Sequence, residues 1–502
     1  MRIIFNLIFI LVFFVFASTV SIAQTTSRIA LPDTAVGKVA ELFFESLNSG
    51  ETVKITNFIE RNFTEQALKD TATNDQAKFF ARLYRQSGGV EPMIISPDSN
   101  ERFLVVEVKS IRGNNWARMF FVLTDKVPQK LVEIGIFGVR DPQESKRNAW
   151  PETKMTEKAA LDQVAVRIRA ASKADRFSGV VLVAKGDRIV INEAHGFADK
   201  GLLVPNRIDT KFNLASMNKM ITAISIAQLV EAGKLSLDDT LAKVLPEYPN
   251  EEAAGKIRVR HLLSHTSGLG DFFDNPEFRS FRQKYKDPKD YFPLFSSRPL
   301  YFAPGERFSY SNAGFVVLGA IVEKISGENY FDYVREHVYK PAGMTNTDSY
   351  ELTEVVPNLA IGYGRFDDDP MGVDPRRSNI AFLPWKGSPA GGGYSTPPDL
   401  LKFAKAFTTD KLVSRQTREN LISAKTVMAG SYRPGSYGFG FVTEEFSRMK
   451  TFGHGGGGAN SGINCDMKIF ADGSFTVIVM GNYDSPAADD MAYEITRLLA
   501  RI

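Results

Sequence analysis

Hydrophobic residues follow two different periods in the first part of this 502-residue chain. Between about Asp33 and Gln86 they recur every three or four positions, as in VAELFFESLNSG, which predicts amphipathic helices. Between Arg102 and Arg140 they recur every second position, as in RFLVVEVKSI, NWARMFFVLT and KLVEIGIFGV, which predicts three strands. Helices followed by an antiparallel sheet predict a small α+β domain over residues 24–141.

The order of elements in this first domain is similar to that of nuclear-transport-factor-like domains, and the resemblance implies a cone-shaped α+β fold. The sequence of the domain contains no motif that indicates chemistry. A polar segment, 142–157, follows it and is interrupted by Pro142 and Pro151. We therefore expect a linker there.

The second domain, 158–502, begins and ends with strand patterns. A helix predicted near 161–171 is followed by GVVLVAKGDRIVINEAHG, in which the central KGD indicates a hairpin. Near the C-terminus, YGFGFVTEE, NCDMKIFADG and SFTVIVMGN predict three more strands, before a closing helix at about 487–499. Because mostly helical sequence lies between these ends, we expect an α+β fold: one antiparallel sheet flanked by terminal helices, with a large helical insertion.

The N-terminus has the three parts of a signal peptide. Arg2 precedes the apolar run IIFNLIFILVFFVFA, and small residues stand at Ser21 and Ala23. We expect cleavage near Ala23, so that residues 1–23 are removed and a bacterial protein becomes periplasmic or secreted. The alternative is a retained membrane anchor, because the run approaches the ~20 residues that span a bilayer.

Composition and charge narrow the possible partners. With 43% hydrophobic and 24% charged residues the chain is globular, and a net charge of +3 gives no reason to expect nucleic acid as a partner. The single cysteine, Cys465, excludes an intrachain disulfide and is expected to be a small buried side chain. The acidic stretch RFDDDPMGVDP lacks the ligand spacing of a calcium loop. We expect no metal and no cofactor.

A hydroxyl and a cation stand together at the start of a long apolar run in FNLASMNKMITAI. Ser216 and Lys219 are three residues apart, so a helix would place both on one face, with the ammonium within reach of the hydroxyl. The helix N-terminus adds positive potential where an alkoxide would form. Ser447 and Lys450 repeat the spacing just before a predicted strand. The helical context favours Ser216 as the nucleophile.

A second motif, Tyr310-Ser-Asn312, stands where another helical pattern, AGFVVLGAIVEKISG, begins. Both Tyr310 and Asn312 are able to face a cleft from that position. Tyr248-Pro-Asn250 has the same spacing, but it lies in a proline-broken turn without a helix behind it. We therefore choose Tyr310 over Tyr248 as the candidate for chemistry.

A third motif, His454-Gly455-Gly456, follows a strand pattern near the C-terminus. Glycines there allow a strand edge to approach a substrate with its N–H groups uncovered. The glycines of SPAGGGYSTPPDL are further candidates for lining the cleft, while TPPD predicts a helix start. His261 and His265, in RVRHLLSHTSGL, are expected to be structural and to fix a loop.

These motifs, in this order, resemble the serine β-lactamase and penicillin-binding-protein superfamily, in particular its class C-like branch of esterases, D-aminopeptidases and carboxypeptidases. RVRHLLSHTSGL and SPAGGGYSTPPDLLKF are also typical of that branch. The resemblance covers about two thirds of the chain, from about residue 161 to the C-terminus. It implies a β-lactamase-like fold and an acyl-enzyme mechanism.

The resemblance also implies roles for the motif residues. Ser216 would form the acyl-enzyme, with Lys219 and Tyr310 acting together as general base. Asn312 would orient the substrate or Lys219. The backbone N–H groups of Ser216 and Gly457 would form the oxyanion hole.

One departure from the family pattern concerns substrate choice. Lactam-recognising members have Lys-Thr-Gly where this chain has His454-Gly455-Gly456, so the groups that hold a substrate carboxylate are missing. The histidine could bind an anion when protonated, or only form hydrogen bonds. The main hypothesis is a serine hydrolase acting on a small-molecule ester, amide or peptide. The alternatives are a peptidoglycan-directed D,D-carboxypeptidase or β-lactamase, and a non-catalytic binding protein.

Overall fold

The computed structural model describes residues 29–70, 72–97, 99–113, 115–125, 127–139, 149–273, 275–365, 375–428, 435–458 and 461–502. The predicted signal peptide and the acidic stretch after Arg365 therefore lie wholly or mostly outside the described residues, as does most of the predicted linker. The chain divides into two compact units: the second comprises Trp150–Gly364 and Arg377–Ile502, and the first comprises the remaining residues.

The first unit consists of helices followed by one antiparallel sheet. Its helices are Ala35–Asn48, Thr52–Asn62, Glu65–Asp70 and Thr73–Ser87, and its strands are β1 (Val90–Ile95), β2 (Phe103–Ser110), β3 (Trp116–Leu123) and β4 (Leu131–Val139). The strands pair in sequence order. Alternate residues of β2 are buried beneath the helices, as the two-residue period predicts.

The sequence-based prediction of three strands in this unit was one short. Strand β1 pairs with β2 through a register shift between Pro92 and Ile94. A bulge of this kind interrupts the alternation of apolar residues, and proline lowers the strand signal further. The extra strand lies at the edge of the sheet, where such irregularities are tolerated.

The second unit contains one large antiparallel sheet and several two-stranded ones. Its strands are β5 (Gly179–Lys185), β6 (Arg188–His195), β7 (Phe197–Asp199), β8 (Val204–Pro205), β9 (Phe212–Asn213), β10 (Tyr363–Gly364), β11 (Arg377–Ser378), β12 (Tyr394–Ser395), β13 (Thr426–Val427), β14 (Ser436–Tyr437), β15 (Val442–Phe446), β16 (Met449–Gly457), β17 (Asn464–Phe470) and β18 (Phe475–Gly481). The large sheet has the order β13-β14-β15-β16-β17-β18-β5-β6, so the two ends of the unit meet where β18 pairs with β5. This confirms the predicted closure of the sheet by the terminal strands.

Both faces of the large sheet are covered. Alternate residues of β5 point to opposite sides: Val181 and Val183 pack under the terminal helices Glu157–Lys173 and Ala487–Leu499, while Val180 and Leu182 join the core of the helical insertion. Two-sided burial explains why GVVLVA is apolar throughout. The hairpin turn between β5 and β6 falls at the predicted KGD.

The helical insertion lies between the strands, as predicted. The remaining α-helices of the unit are Asn218–Glu231, Leu241–Val244, Glu251–Lys256, Val259–Leu263, Pro276–Ser280, Asn312–Ser326, Tyr330–Val334, Lys340–Ala342, Pro397–Thr408 and Arg415–Ile422. Short 3-10 or π turns occur at Ala215–Met217, Arg282–Lys284, Pro288–Leu294, Arg335–Tyr339 and Ile380–Phe382. The helices Asn218–Glu231 and Asn312–Ser326 share one buried core, which brings their N-termini to the same region.

Candidate active site

Ser216 lies in a tight turn, Ala215–Met217, that leads directly into the helix Asn218–Glu231. The residue before it, Ala215, has a φ of 43°, a left-handed conformation that is unfavourable for a residue with a side chain. The side chain of Asn213 holds this turn by accepting a hydrogen bond from the Ala215 N–H at 2.9 Å. Such strain persists only where the surroundings fix it, and it often marks a functional residue.

Lys219 is one turn further along and is fully buried. Its Nζ lies 3.1 Å from Ser216 Oγ and 2.8 Å from Asn312 Oδ1, and it also contacts the carbonyl oxygen of Ala390. None of these three atoms carries a formal charge. The two candidates from the first motif and one from the second therefore meet in one hydrogen-bonded group.

The environment of Lys219 makes its ammonium form unfavourable. Burial lowers the pKa of Lys219 from 10.5 to about 7, and the negative charge of Asp271 opposes part of that shift. At neutral pH a large fraction of this lysine is therefore uncharged. A neutral amine beside a serine hydroxyl is able to act as a base.

The segment Ser388–Gly393 forms one wall of the site. Its carbonyl groups at Ser388, Pro389 and Ala390 accept hydrogen bonds from the side chains of Asn218, Thr222 and Lys219, respectively. At its other end, the N–H of Gly392 donates to the carbonyl of Ala215 at 3.0 Å. The predicted role of these glycines in lining the cleft is consistent with this contact, and the helix predicted from TPPD begins at Pro397 with Thr396 as its cap.

Tyr310 lies across Lys219, whose Nζ is 4.7 Å from the centre of the tyrosine ring. The imidazole of His265 packs against the same tyrosine ring, with the two ring centres 4.2 Å apart, and its Nδ1 accepts a hydrogen bond from the Ser311 N–H at 3.0 Å. The Tyr310 side chain is 36% exposed, but desolvation of its hydroxyl raises the pKa of that group, an effect partly offset by its hydrogen bond with Ser216. Tyr310 is therefore protonated at neutral pH, and His265 has the structural role that the sequence predicted.

Asn312 begins the helix Asn312–Ser326, which Ser311 caps by accepting the Gly314 N–H at 3.1 Å. The Asn312 Nδ2 donates to Asp271 at 2.7 Å, and its backbone N–H donates to the same carboxylate oxygen at 3.1 Å. Sequence analysis did not identify Asp271. The residue lies four positions after the serine of HTSGL, so its proximity to that motif was the available signal.

His454 is buried in strand β16 and bonded to a partner that sequence analysis also missed. Its Nε2 lies 2.9 Å from the hydroxyl of Tyr437, and its Nδ1 contacts the carbonyl of Gly455. Because that carbonyl only accepts, Nδ1 carries the proton and Nε2 accepts from Tyr437. Burial, with the nearby charge of Lys219, lowers the pKa of His454 to about 3. The imidazole is therefore neutral at physiological pH.

The glycines after His454 allow strand β16 to approach the nucleophile. A β-carbon on Gly456 would lie 2.6 Å from the backbone nitrogen of Ser216, which is closer than van der Waals contact permits. Gly457, with a φ of 139°, has an exposed backbone at the end of the strand. The absence of a side chain at Gly456 therefore lets strand β16 pack directly against the turn that carries Ser216.

The two alternative motif matches lie in other surroundings. Ser447 belongs to the two-residue turn between β15 and β16 and has a φ of 48°, and Lys450 is exposed on the following strand. The hydroxyl of Tyr248 is buried and has no hydrogen-bond partner among the described residues. Neither match is brought together with a second functional side chain in the way that Ser216 and Tyr310 are.

Three further observations concern the described residues. Cys465 is a free, buried thiol that donates to the carbonyl of Leu214 at 3.0 Å, as expected for a structural side chain. Within the described ranges, no group of histidine, cysteine, aspartate and glutamate residues is arranged to hold a metal ion. None of the helices in the described part of the chain is long and apolar enough to cross a membrane.

Comparison with known proteins agrees with this geometry. The beta-lactamase family model matches residues 161–501, so the chain belongs to that family. Penicillin-binding protein 4* of Bacillus subtilis is 30% identical over 64% of this chain and 70% of its own length. Esterase EstB of Burkholderia gladioli is 28% identical over 57% of this chain and 83% of its own.

A solved structure extends the comparison to three dimensions. The penicillin-binding protein of Bacillus halodurans is 30% identical and superimposes with a TM-score of 0.57, covering 66% of this chain and 98% of that protein. The fold is therefore that of the β-lactamase and penicillin-binding-protein superfamily. The chain is a serine hydrolase of this superfamily, as the motifs had implied.

Proposed function

We propose that this protein is an exported serine hydrolase that cleaves an ester or a small amide or peptide bond through an acyl-enzyme on Ser216. The observation that carries the proposal is the contact of Ser216 Oγ with the Nζ of the fully buried Lys219 at 3.1 Å. The substrate is a small molecule or a peptide. Export is supported by the N-terminal sequence pattern.

The hydrogen-bond partners of Lys219 suit a neutral amine. An uncharged NH₂ group has two N–H donors and one lone pair. The Asn312 Oδ1 and the Ala390 carbonyl are pure acceptors and occupy the two donors. The lone pair is then left for the proton of Ser216, so Lys219 is the general base in the first step.

Tyr310 and the backbone complete the proposed reaction. As Ser216 Oγ attacks the acyl carbon, its proton passes to Lys219, and the protonated Tyr310 hydroxyl donates to the leaving group. The N–H groups of Ser216 and Gly457 stabilise the oxyanion, an interaction typically worth ~3 kcal/mol per donor. Water then hydrolyses the acyl-enzyme by the reverse transfer of protons.

The state of His454 supports a substrate without a carboxylate at that subsite. A neutral imidazole, bonded at both nitrogens, supplies no cation for an anionic group near neutral pH. This favours an ester or a neutral amide over a β-lactam or a peptidoglycan stem peptide. The similarity to esterase EstB supports the same choice. The non-catalytic alternative is disfavoured because Ser216, Lys219 and Tyr310 are all present.

Covalent labelling with a fluorophosphonate probe tests the proposal. The purified mature protein should be labelled stoichiometrically, since a nucleophilic serine attacks phosphorus as it would a carbonyl carbon. Ser216→Ala should abolish labelling, whereas the matched control Ser447→Ala should be labelled like the wild type. Labelling that persists in Ser216→Ala, or no labelling of the wild type, would contradict the proposal.

A pair of substrates tests the proposed specificity. We expect a short neutral ester to be hydrolysed with a higher kcat/KM than the same ester carrying a carboxylate on its acyl part, at every pH from 5 to 8. His454→Lys should improve the carboxylate ester selectively by supplying the missing cation. A wild-type preference for the carboxylate that fades as the pH rises would show instead that a protonated His454 binds the anion.

A further inference from the structure

The carboxylate of Asp271 is surrounded by N–H donors. Its Oδ1 accepts from the backbone N–H groups of Phe272 and Phe273 at 2.7 and 3.0 Å. Its Oδ2 accepts from the backbone and side-chain nitrogens of Asn312 at 3.1 and 2.7 Å. An amide in place of the carboxylate would present an NH₂ group to one pair of these donors. Only an ionised acid satisfies all four hydrogen bonds.

The bond from Asn312 to Asp271 determines which way the Asn312 amide faces. With its Nδ2 held by the carboxylate, its Oδ1 is left to accept from Lys219 at 2.8 Å. Rotated by half a turn, the same amide would point an N–H donor at Lys219 and compete for the lone pair. Asp271 also stands at the N-terminus of the helix Asn312–Ser326, where a negative charge is favourable.

The loop that carries Asp271 is fixed to the segment before that helix at two further points. The hydroxyl of Ser311 donates to the carbonyl of Gly270 at 2.8 Å, and the Ser309 N–H donates to the carbonyl of His265 at 2.8 Å. The position of the carboxylate is therefore determined by the backbone on both sides. A group held this firmly is able to set the orientation of its neighbour.

Asp271 is also a source of charge near Lys219. The other titratable groups near Lys219 are Tyr310, His265 and His454. Burial and the charge of Lys219 lower the pKa of both histidines, so they are neutral. Desolvation raises the pKa of the Tyr310 hydroxyl, so it is protonated. The guanidinium of Arg298 donates to the backbone carbonyl of Asp271 at 3.1 Å. Of the groups that act on Lys219, Asp271 supplies the negative charge that favours its ammonium form.

We propose that Asp271 is a positioning residue of the hydrolase: it holds the Asn312 amide with Oδ1 toward Lys219, and its negative charge acts on that lysine. The proposal rests on the function proposed above. It assigns to Asp271 an effect on the pH dependence of the reaction that a residue stabilising only the fold would not have.

The test is the second-order rate of fluorophosphonate labelling as a function of pH, since the probe itself does not titrate. For the wild type, the rate should rise with pH through a midpoint near 7, as Lys219 loses its proton. Removing the carboxylate charge makes the ammonium less favourable, so the midpoint for Asp271→Asn should fall by roughly 0.5–1 pH unit. Its plateau rate should fall by about tenfold or more, because the base is misoriented.

Two variants serve as controls. Asp271→Glu keeps the charge, so its midpoint should stay at the wild-type value even if its rate is lower. Asp290 also accepts two backbone N–H groups, those of Lys286 and Asp287, both at 2.9 Å, but it is exposed. Asp290→Asn should change neither midpoint nor plateau. If Asp271→Asn does not fold, Asp271→Ser removes the charge while keeping an acceptor for the Asn312 N–H.

The outcomes separate this proposal from the proposed function. A wild type that is not labelled at any pH from 5 to 9 overturns both. A labelled wild type with an unchanged midpoint in folded Asp271→Asn overturns only the role of Asp271. A lowered midpoint in that variant, together with the wild-type midpoint in Asp271→Glu, supports it.

Discussion

Lys219 and Lys468 are two of the lysines buried in the second unit, and their pKa values are shifted in opposite directions. Lys219 is surrounded by a hydroxyl, an amide oxygen and a carbonyl, and burial lowers its pKa to about 7. Lys468, on strand β17, lies between the carboxylates of Glu444 and Asp466, with Asp466 Oδ2 at 3.2 Å. Despite burial, these charges raise the pKa of Lys468. The same side chain is thus a base at one place and a permanent cation at the other.

The comparison shows that burial alone does not make a lysine reactive. What matters is whether the neighbouring groups carry a compensating charge. At Lys219 the partners are neutral, so desolvation is only partly offset and the amine is able to lose its proton. At Lys468 the ion pairs stabilise the ammonium, as is usual for a charge in a protein interior.

Replacing each lysine by methionine should change the stability of the protein in opposite directions. Lys219→Met removes the base, so kcat/KM for a short ester should fall by at least about a thousandfold. The same change should raise the free energy of unfolding by roughly 1–3 kcal/mol, because folding no longer has to bury a lysine whose charged form is disfavoured there. Lys468→Met removes the cation that pairs with two buried carboxylates and should lower the free energy of unfolding by roughly 3–5 kcal/mol. Thermal unfolding and esterase assays on both variants measure these effects.

The pH dependence of stability provides a second test of whether Lys219→Met stabilises the protein. The pKa of Lys219 is lower in the folded protein than the usual 10.5, so the unfolded chain binds more protons between pH 7 and 10.5. The stabilising effect of Lys219→Met should therefore be largest at or below pH 7 and should decline toward pH 10. A melting temperature that falls in Lys219→Met at pH 6 would mean that Lys219 stabilises the fold.

Tyr310 and Tyr248 show a similar contrast, with smaller expected effects. Desolvation of the hydroxyl raises the pKa of both Tyr310 and Tyr248, but only the Tyr310 hydroxyl has Ser216 as a partner. Tyr310→Phe should lower kcat about a hundredfold, the usual scale for loss of acid–base assistance. Tyr248→Phe should leave kcat within a few-fold of the wild type and should not reduce stability, since its buried hydroxyl has no partner in the described structure. A comparable loss from Tyr248→Phe would mean that the wrong tyrosine had been chosen.

Much of the catalytic unit could be predicted from local sequence patterns. The apolar run of β5, the hairpin turn and the closing helix Ala487–Leu499 all follow from periodicity and turn chemistry. The segment YGFGFVTEE was expected to be one strand, but it forms β14 and β15 with a turn at Gly440, where φ is 78°. The glycines in that segment were the signal for the break.

The candidate site was predictable only in part. Ser216, Lys219, Tyr310 and Asn312 stand at helix starts, and the structure brings them together. The Ala390 carbonyl and Asp271 come from loops, 171 and 52 residues away from Lys219 in the chain, so no periodic pattern connects them to it. The neutral state of His454 depends on Tyr437, a partner from another strand. Contacts of this kind depend on tertiary structure rather than on local sequence.

Substitutions of Ser447, in the alternative motif, should have the smallest effects. Ser447 and Lys450 have the spacing of Ser216 and Lys219, but Ser447 lies in a two-residue hairpin turn with φ values of 48° and 73° at Ser447 and Arg448. A turn does not bring residues three apart onto one face as a helix does. Ser447→Ala should therefore leave kcat/KM within about twofold of the wild type. Ser447→Gly should raise the free energy of unfolding by a few tenths of a kcal/mol, on the order expected when a positive φ is relieved. A large loss of activity in Ser447→Ala, with its melting temperature unchanged, would show that the motif acts without a helix.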